Sequence, residues 1–231
     1  MSVWILLWLA SAPVLAILVF IYVKDKYEKE PFHLLLFSFL LGATSIIPAV
    51  IMELAAQKAG ITVTTDIRMT MVYSFLVVGL SEELSKFIVL RFYIFPKNDF
   101  NEPFDGIVYA VVISMGFAMV ENIMYVLQGG LHVALIRMFT AVPAHAAFGV
   151  LMGYFAGKAK FSGFKGFYLT LGIIVAIIVH GAYDFFIFQL NYPYLKMATV
   201  LVLVAGIIVS FIAIRVSRKS SPFKDRQVSE S

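Results

Sequence analysis

The chain has 231 residues, of which 61% are hydrophobic and only 14% charged, well below the roughly one quarter that is usual for a soluble domain. It contains no cysteine, which excludes disulfides, thiolate metal ligands and a cysteine nucleophile. The net charge is +4, but the basic residues are scattered over short loops and a C-terminal segment, so nucleic acid is excluded as a partner. This composition predicts a protein whose solvent is membrane lipid.

Apolar runs long enough to cross a membrane recur along the whole chain. A hydrocarbon core of about 30 Å needs roughly 20 helical residues. The runs lie near 3–23, 33–57, 69–92, 105–127, 135–156, 167–189 and 194–216. Because backbone in lipid must satisfy its own hydrogen bonds, we expect an all-α, polytopic transmembrane helical bundle of about seven spans. Residues 1–216 are expected to form one transmembrane domain, and residues 217–231 a mobile cytosolic tail.

The lysines and arginines between the runs are distributed unequally. The segments after the first, third, fifth and seventh runs hold thirteen of them, from Lys24 to Arg226, whereas the other side holds only Lys58, Arg68 and Lys196. The excess of positive charge on cytosolic loops predicts an N-terminus outside and a C-terminus in the cytosol. The chain is therefore expected to be a multi-pass protein of the plasma membrane.

Ionisable side chains are concentrated in four consecutive runs. Each costs several kcal/mol at membrane depth unless it is paired, faces water or binds a metal, so each indicates function. The group comprises Glu82, Glu83, Lys86, Glu121, Arg137, His145, His180 and Asp184, together with the polar but neutral Asn122. A single buried glutamate or histidine could be an interhelical hydrogen-bond partner, but this number on adjacent spans predicts one shared site. Counting residues from the predicted ends of each run, at about 1.5 Å per residue, gives the depth of each group in the membrane. These depths indicate a shared cavity that opens toward the external face.

Helical spacing pairs some of these side chains within their own helices. Glu82 and Lys86 are separated by four residues and share a face, as do His180 and Asp184. Asp184 can then accept a hydrogen bond from the ring N–H of His180 and orient its other nitrogen. Alternatively, Asp184 neutralises Arg137, because both lie toward the outer ends of their runs.

The charges of the group do not balance. With neutral histidines, four carboxylates face only Lys86 and Arg137, which leaves an excess of two negative charges. A divalent metal would offset this excess, and zinc is the expected ion, with Glu121, His145 and His180 as its ligands. Protonation of two carboxylates would offset the excess equally well.

The motifs can be compared with known intramembrane proteases. HExxH is absent, Ser81 is followed by Glu82 where a rhomboid-type site has glycine, and no Gly-x-Gly-Asp accompanies Asp184. Present are EELSK, GFAMVEN and HGAYD, together with YEKEP, FDGIVY and PAHAAFGV. This set resembles the PrsW family of bacterial intramembrane proteases, relatives of the CAAX-type prenyl proteases and bacteriocin-immunity proteins. The resemblance extends over nearly the whole chain.

The resemblance implies an activity and a substrate. It implies that Glu82, Glu83 and His180 are required to cut a single-pass, membrane-anchored anti-sigma factor on its extracytoplasmic side, after which a second protease cuts within the membrane during envelope stress. Two positions depart from the wider superfamily. Lys86 stands where arginine is common, and Glu121 stands where a histidine follows Phe-x-x-x. Both departures point to the PrsW branch and weaken the inference of a metal.

These residues suggest a hydrolytic mechanism. Glu82 is expected to take a proton from water as general base, with Glu83 orienting that water or binding metal. Arg137 or the metal would stabilise the oxyanion, and Asn122 could donate to the substrate backbone. The main alternative is a secondary transporter or proton relay, which also places carboxylates and histidines at the bilayer midplane.

Overall fold

The computed structural model describes residues 2–224, which form helices and short connections without any strand. The α-helices are Val3–Lys24 (α1), Phe32–Thr44 (α2), Ile46–Lys58 (α3), Ile67–Val72 (α4), Leu80–Val89 (α5), Pro103–Phe139 (α6), Ala141–Lys160 (α7), Lys165–Ile187 (α8) and Lys196–Lys219 (α9). Two π-helical segments, Tyr73–Gly79 and Leu90–Ile94, flank α5. The all-α prediction is confirmed.

The predicted C-terminal tail, 217–231, begins within a helix, because α9 continues to Lys219. Its residues 225–231 lie outside the described part of the chain.

Five helical segments among the described residues are long and apolar enough to cross a membrane. They are Val3–Lys24, Phe32–Lys58, Pro103–Lys160, Lys165–Ile187 and Pro193–Lys219. The predicted spans 105–127 and 135–156 fall within one 58-residue segment. The predicted span 69–92 is not among the five, because it is divided into short helices and carries several charges. Length and apolarity thus give five candidate segments among the described residues and do not confirm the expected count of seven spans.

Proline and glycine explain two breaks in the helices. The second apolar run is interrupted at Ser45, between α2 and α3. Pro48 lacks an amide N–H, and its ring would clash with the carbonyl of Thr44 four residues earlier, so one continuous helix is disfavoured. Within α6, Gly130 has φ 66°, a left-handed value that glycine adopts without steric cost. The chain reverses there, and the last turns of α6 come back toward its middle.

Helix α6 lies at the centre of the bundle, and nearly all its side chains from Phe104 to Ala118 are buried. It packs antiparallel against α7 through glycines. A Cβ added to Gly153 would lie 2.3 Å from the carbonyl oxygen of Gly106, and one added to Gly116 would lie 2.0 Å from that of Phe39 in α2. Gly116 and Gly153 therefore permit close approach of neighbouring helices.

Carboxylates tie the start of α6 to the α1–α2 loop. Asp105 accepts hydrogen bonds from the backbone N–H groups of Asn101 and Glu102 at 2.7 and 2.8 Å, as a helix-start residue should. The hydroxyl of Tyr109 donates to Glu30 in the loop. Burial, with the adjoining Asp105 carboxylate, raises the pKa of Glu30. The start of α6 is thereby held against the α1–α2 loop.

Candidate active site

The polar residues of α5 face the protein interior. Ser81, Glu82, Glu83, Ser85 and Lys86 are all buried. Apolar side chains of the same segment point outward instead, and Leu76, Ile88 and Phe92 are 62%, 48% and 70% exposed. This pattern is the inverse of a soluble amphipathic helix, and it is the arrangement expected where lipid covers the outer face. The sequence therefore directs both glutamates into the bundle.

Small residues let α8 approach the segment that precedes Glu82. A Cβ on Gly79 would lie 3.2 Å from the carbonyl oxygen of Ile177, and one on Gly181 would lie 2.5 Å from the ring of Phe75. The two backbones are in near contact at this point. His180, next to Gly181, consequently reaches the carboxylates of α5.

Lys86 joins the two glutamates of α5. Its ammonium donates to Glu82 Oε2 at 3.1 Å and to Glu83 Oε1 at 2.8 Å, and it lies 4.0 Å from the centre of the Phe117 ring. Lys86 is 2% exposed and Glu83 is fully buried. Because neither ion is solvated by bulk water, each depends on the other for stabilisation.

His180 is held on three sides. Its Nδ1 lies 2.8 Å from Glu83 Oε1, and its Nε2 lies 3.2 Å from Asp184 Oδ2. The Phe148 ring stacks on the imidazole at a centroid distance of 4.6 Å. Of the two roles expected for Asp184, the structure shows the contact with His180. These contacts fix the plane and position of the imidazole ring.

His145 links α7 to the centres of α5 and α6. Its Nε2 lies 2.8 Å from Glu121 Oε2, and its Nδ1 lies 3.3 Å from the Lys86 ammonium. Because the ammonium can only donate, Nδ1 acts as acceptor and Nε2 carries the proton shared with Glu121. The His145 and His180 rings are 5.4 Å apart and nearly perpendicular.

Arg137 reaches this region because the chain reverses at Gly130. Its Nη2 donates to Glu121 Oε2 at 2.6 Å, and its Nε donates to Asn122 Oδ1 at 2.8 Å. The Asn122 amide nitrogen donates to the Ala10 carbonyl in α1 at 2.7 Å. Asn122 is fully buried, so the geometry gives it a bracing role between helices and does not support the expected contact with a substrate backbone.

A cavity of about 560 Å³ opens beside these groups. Glu82, Glu121, Arg137, His145, His180 and Asp184 contribute to its walls, whereas Glu83, Lys86 and Asn122 lie behind them. Glu53 of α3 also lines the cavity and accepts a hydrogen bond from Ser81 at 3.3 Å. The sequence does not identify Glu53 as a site residue, because a side chain near a predicted helix end is expected to reach water. Its charge within an apolar run is nevertheless a signal of function.

Four of the buried groups could hold a metal ion together. Ligand atoms of Glu82, Glu83, His145 and His180 all lie within 4.8 Å of one another, and all four residues are buried. Glu83 Oε2 has no hydrogen-bond partner among the described residues. Imidazole nitrogens and carboxylate oxygens form a donor set that fits a divalent metal. The expected ligand Glu121 is outside this group, and its carboxylate contacts Arg137 and His145.

Comparison with protein families gives a match over most of the chain. The family described as "PrsW family intramembrane metalloprotease" matches residues 30–214. This interval includes every residue of the buried group and of the cavity wall described above.

Curated relatives carry the same family name. The chain is 37% identical over 182 residues to "Protease PrsW" of Bacillus subtilis (strain 168), covering 78% of this chain and 81% of the relative. It is 37% identical over 174 residues to "Protease PrsW" of Geobacillus kaustophilus (strain HTA426), covering 75% of each chain. Identity to "Protease PrsW" of Clostridioides difficile (strain 630) is 33% over 207 residues, covering 87% and 84%. No solved structure matches the chain.

Proposed function

Because the chain belongs to the PrsW family of intramembrane metalloproteases, we propose that it cuts a single-pass membrane protein on the extracytoplasmic side, its substrate being an anchored anti-sigma factor. The protein is an endopeptidase of the bacterial cell membrane. One observation carries the assignment of the site: Glu82 belongs to a buried glutamate and histidine group and also lines the large cavity. The substrate class rests on the family resemblance.

The position of the cavity supports a cut on the outer side. Basic residues end α1, α7 and α9 at the end of the bundle where α6 begins. Glu121 lies 16 residues after Asp105, which is about 24 Å along a helix. The cavity is therefore displaced toward the end opposite the basic residues. With the basic end in the cytosol, the cavity opens outward, the N-terminal end of α1 lies outside and the C-terminal end of α9 lies in the cytosol.

A metal would be held by His145, His180 and Glu83. Two imidazoles and one carboxylate form a set used by catalytic zinc sites, which leaves Glu82 free to act on water at the cavity wall. The site has five carboxylates, including Glu53, against the two cations Lys86 and Arg137. This excess of negative charge favours a bound cation. Bound zinc would lower the pKa of water and polarise a carbonyl group.

Glu82 acts as the general base in this proposal. Its carboxylate takes a proton from a water molecule as the water oxygen attacks the carbonyl carbon of the scissile peptide. Arg137 on the same cavity wall can stabilise the negative oxygen of the tetrahedral intermediate. The carbon–nitrogen bond then breaks, and Glu82 returns the proton to the leaving amine. Glu121 and Asp184 keep His145 and His180 oriented.

The position of the cut can be tested with two matched reporters in a bacterial membrane. Each is a single-pass protein with the same juxtamembrane stalk and different tags at its two ends, and the stalk lies outside in one and in the cytosol in the other. We expect cleavage of the reporter with the external stalk, with the fragment mass placing the cut there. Cleavage of the cytosolic stalk alone would contradict the proposed orientation, and cleavage of neither would contradict the proposed substrate class.

A further inference from the structure

A second cavity lies between α1 and α9, on another face of the bundle from the candidate active site. Helix α1 packs against α6, and α9 packs against α7, so a groove of about 250 Å³ remains between the two outer helices. Its floor includes Val111, Ala146 and Val150, and its walls include Ile17 and Ile207. Ser210 is the one hydroxyl residue in the lining, and its Oγ donates to the Gly206 carbonyl at 2.7 Å. The groove is therefore apolar.

A basic pocket continues the groove at the C-terminal ends of α1 and α9. This pocket has a volume of about 440 Å³ and shares Phe211 and Ile214 with the groove. Its other lining residues are Lys24, Tyr27, Arg215, Arg218 and Lys219. Four cationic side chains thus converge at one end of an apolar channel.

These cations are not neutralised by ion pairs within the described part of the chain. No carboxylate oxygen of residues 2–224 lies within 4.0 Å of the charged nitrogens of Lys24, Arg215, Arg218 or Lys219. Arg218 Nε is buried and has no hydrogen-bond partner within the described part of the chain. The Arg218 charge does interact electrostatically with the nearby carboxyl group of Glu102. The preference for basic residues on cytosolic ends accounts for their presence. It does not account for their convergence on a pocket that opens into an apolar groove.

We propose that the groove and the basic pocket together bind one anionic phospholipid. An acyl chain would lie in the groove, and the phosphate would lie among Lys24, Arg215 and Lys219. An amphiphile with an apolar chain and a negative head group matches both halves of the site. The bound lipid would bridge α1 and α9 over the α6–α7 pair.

Lipid selectivity of the full-length chain in detergent tests this proposal. Native mass spectrometry would compare phosphatidylglycerol with phosphatidylcholine of identical acyl chains, and soluble glycerol 3-phosphate would serve as the head group alone. We expect retention of the anionic lipid, weak retention of the zwitterionic lipid and no binding of glycerol 3-phosphate. Equal retention of the two lipids, or binding of the soluble phosphate alone, would overturn the proposal.

Two variants separate this site from general surface charge. Arg215→Ala/Lys219→Ala should weaken phosphatidylglycerol binding by about 25-fold, since each basic residue near an anionic surface contributes about a fivefold effect and the two effects multiply. Ala146→Leu should reduce binding by filling the groove. The matched control, Lys158→Ala/Lys165→Ala, removes two exposed charges elsewhere and should retain wild-type binding. An equal loss in the control, or wild-type binding by both site variants, would refute the assignment. All four altered side chains of the charge variants are exposed, and lipid-free thermal unfolding checks that each variant is folded.

Discussion

Replacing Glu82 with glutamine is expected to reduce cleavage of a membrane-anchored reporter by about 10²–10⁴-fold, the range that a general base contributes. Glutamine keeps the size of the side chain and can still accept a hydrogen bond from Lys86, but it cannot take a proton from water. The rate should be measured with purified protein and reporter in liposomes. Turnover at the wild-type rate would remove Glu82 from the mechanism.

The matched control for this variant is Glu28→Gln. Glu28 is exposed in the α1–α2 loop and accepts a hydrogen bond from Asn101, away from the cavity. The same chemical change there should leave the cleavage rate unaltered. A comparable loss in both variants would indicate a general effect of the substitution and would not support a special role for Glu82.

Replacing His180 with alanine is expected to abolish both cleavage and metal binding. The substitution removes a proposed ligand, breaks the contacts with Glu83 and Asp184 and leaves a gap beside Phe148. Asp184→Asn should be milder, at about 10–100-fold, because Asp184 acts by orienting the imidazole ring. Cleavage rates and elemental analysis of the purified variants would measure these effects.

The relative losses of activity in His180→Ala and Asp184→Asn distinguish the proposed roles of the two residues. Exposed His132 offers a control histidine, and His132→Ala should keep both the metal content and the rate of the wild type. If Asp184→Asn were as inactive as His180→Ala while retaining its metal, Asp184 would have a direct chemical role. If His180→Ala retained full activity, the proposed site would be wrong.

The grouping of Glu82, Glu83, His145 and His180 could be expected from sequence, because charged and imidazole groups in lipid seek one another. The distances between these residues could not be predicted, because they depend on Gly79 and Gly181, which allow α8 to lie close to the α5 segment. The catalytic roles of these residues stay predictions. The residues alone left two functions open, a protease and a transporter. The family comparison shows that the protein is a protease.

Other features depend on tertiary contacts that periodicity does not encode. The sequence predicts Asn122 beside the substrate, but its amide nitrogen donates to the carbonyl of Ala10, more than a hundred residues earlier in the chain. Glu53 lies on α3, a separate helix after the break before Pro48, and lines the cavity. The third apolar run differs from a simple span, because α5 hides its charges inside the bundle and is flanked by π-helical segments.

The buried glutamate and histidine group is, in our proposal, a metal-dependent proteolytic centre. This proposal is tested most directly by following cleavage while zinc is returned to metal-stripped, purified protein. We expect chelation to remove activity and zinc to restore it, saturating near one ion per chain, in the wild type but not in His145→Ala/His180→Ala. Full activity of the stripped wild-type protein, verified metal-free by elemental analysis, would contradict this proposal.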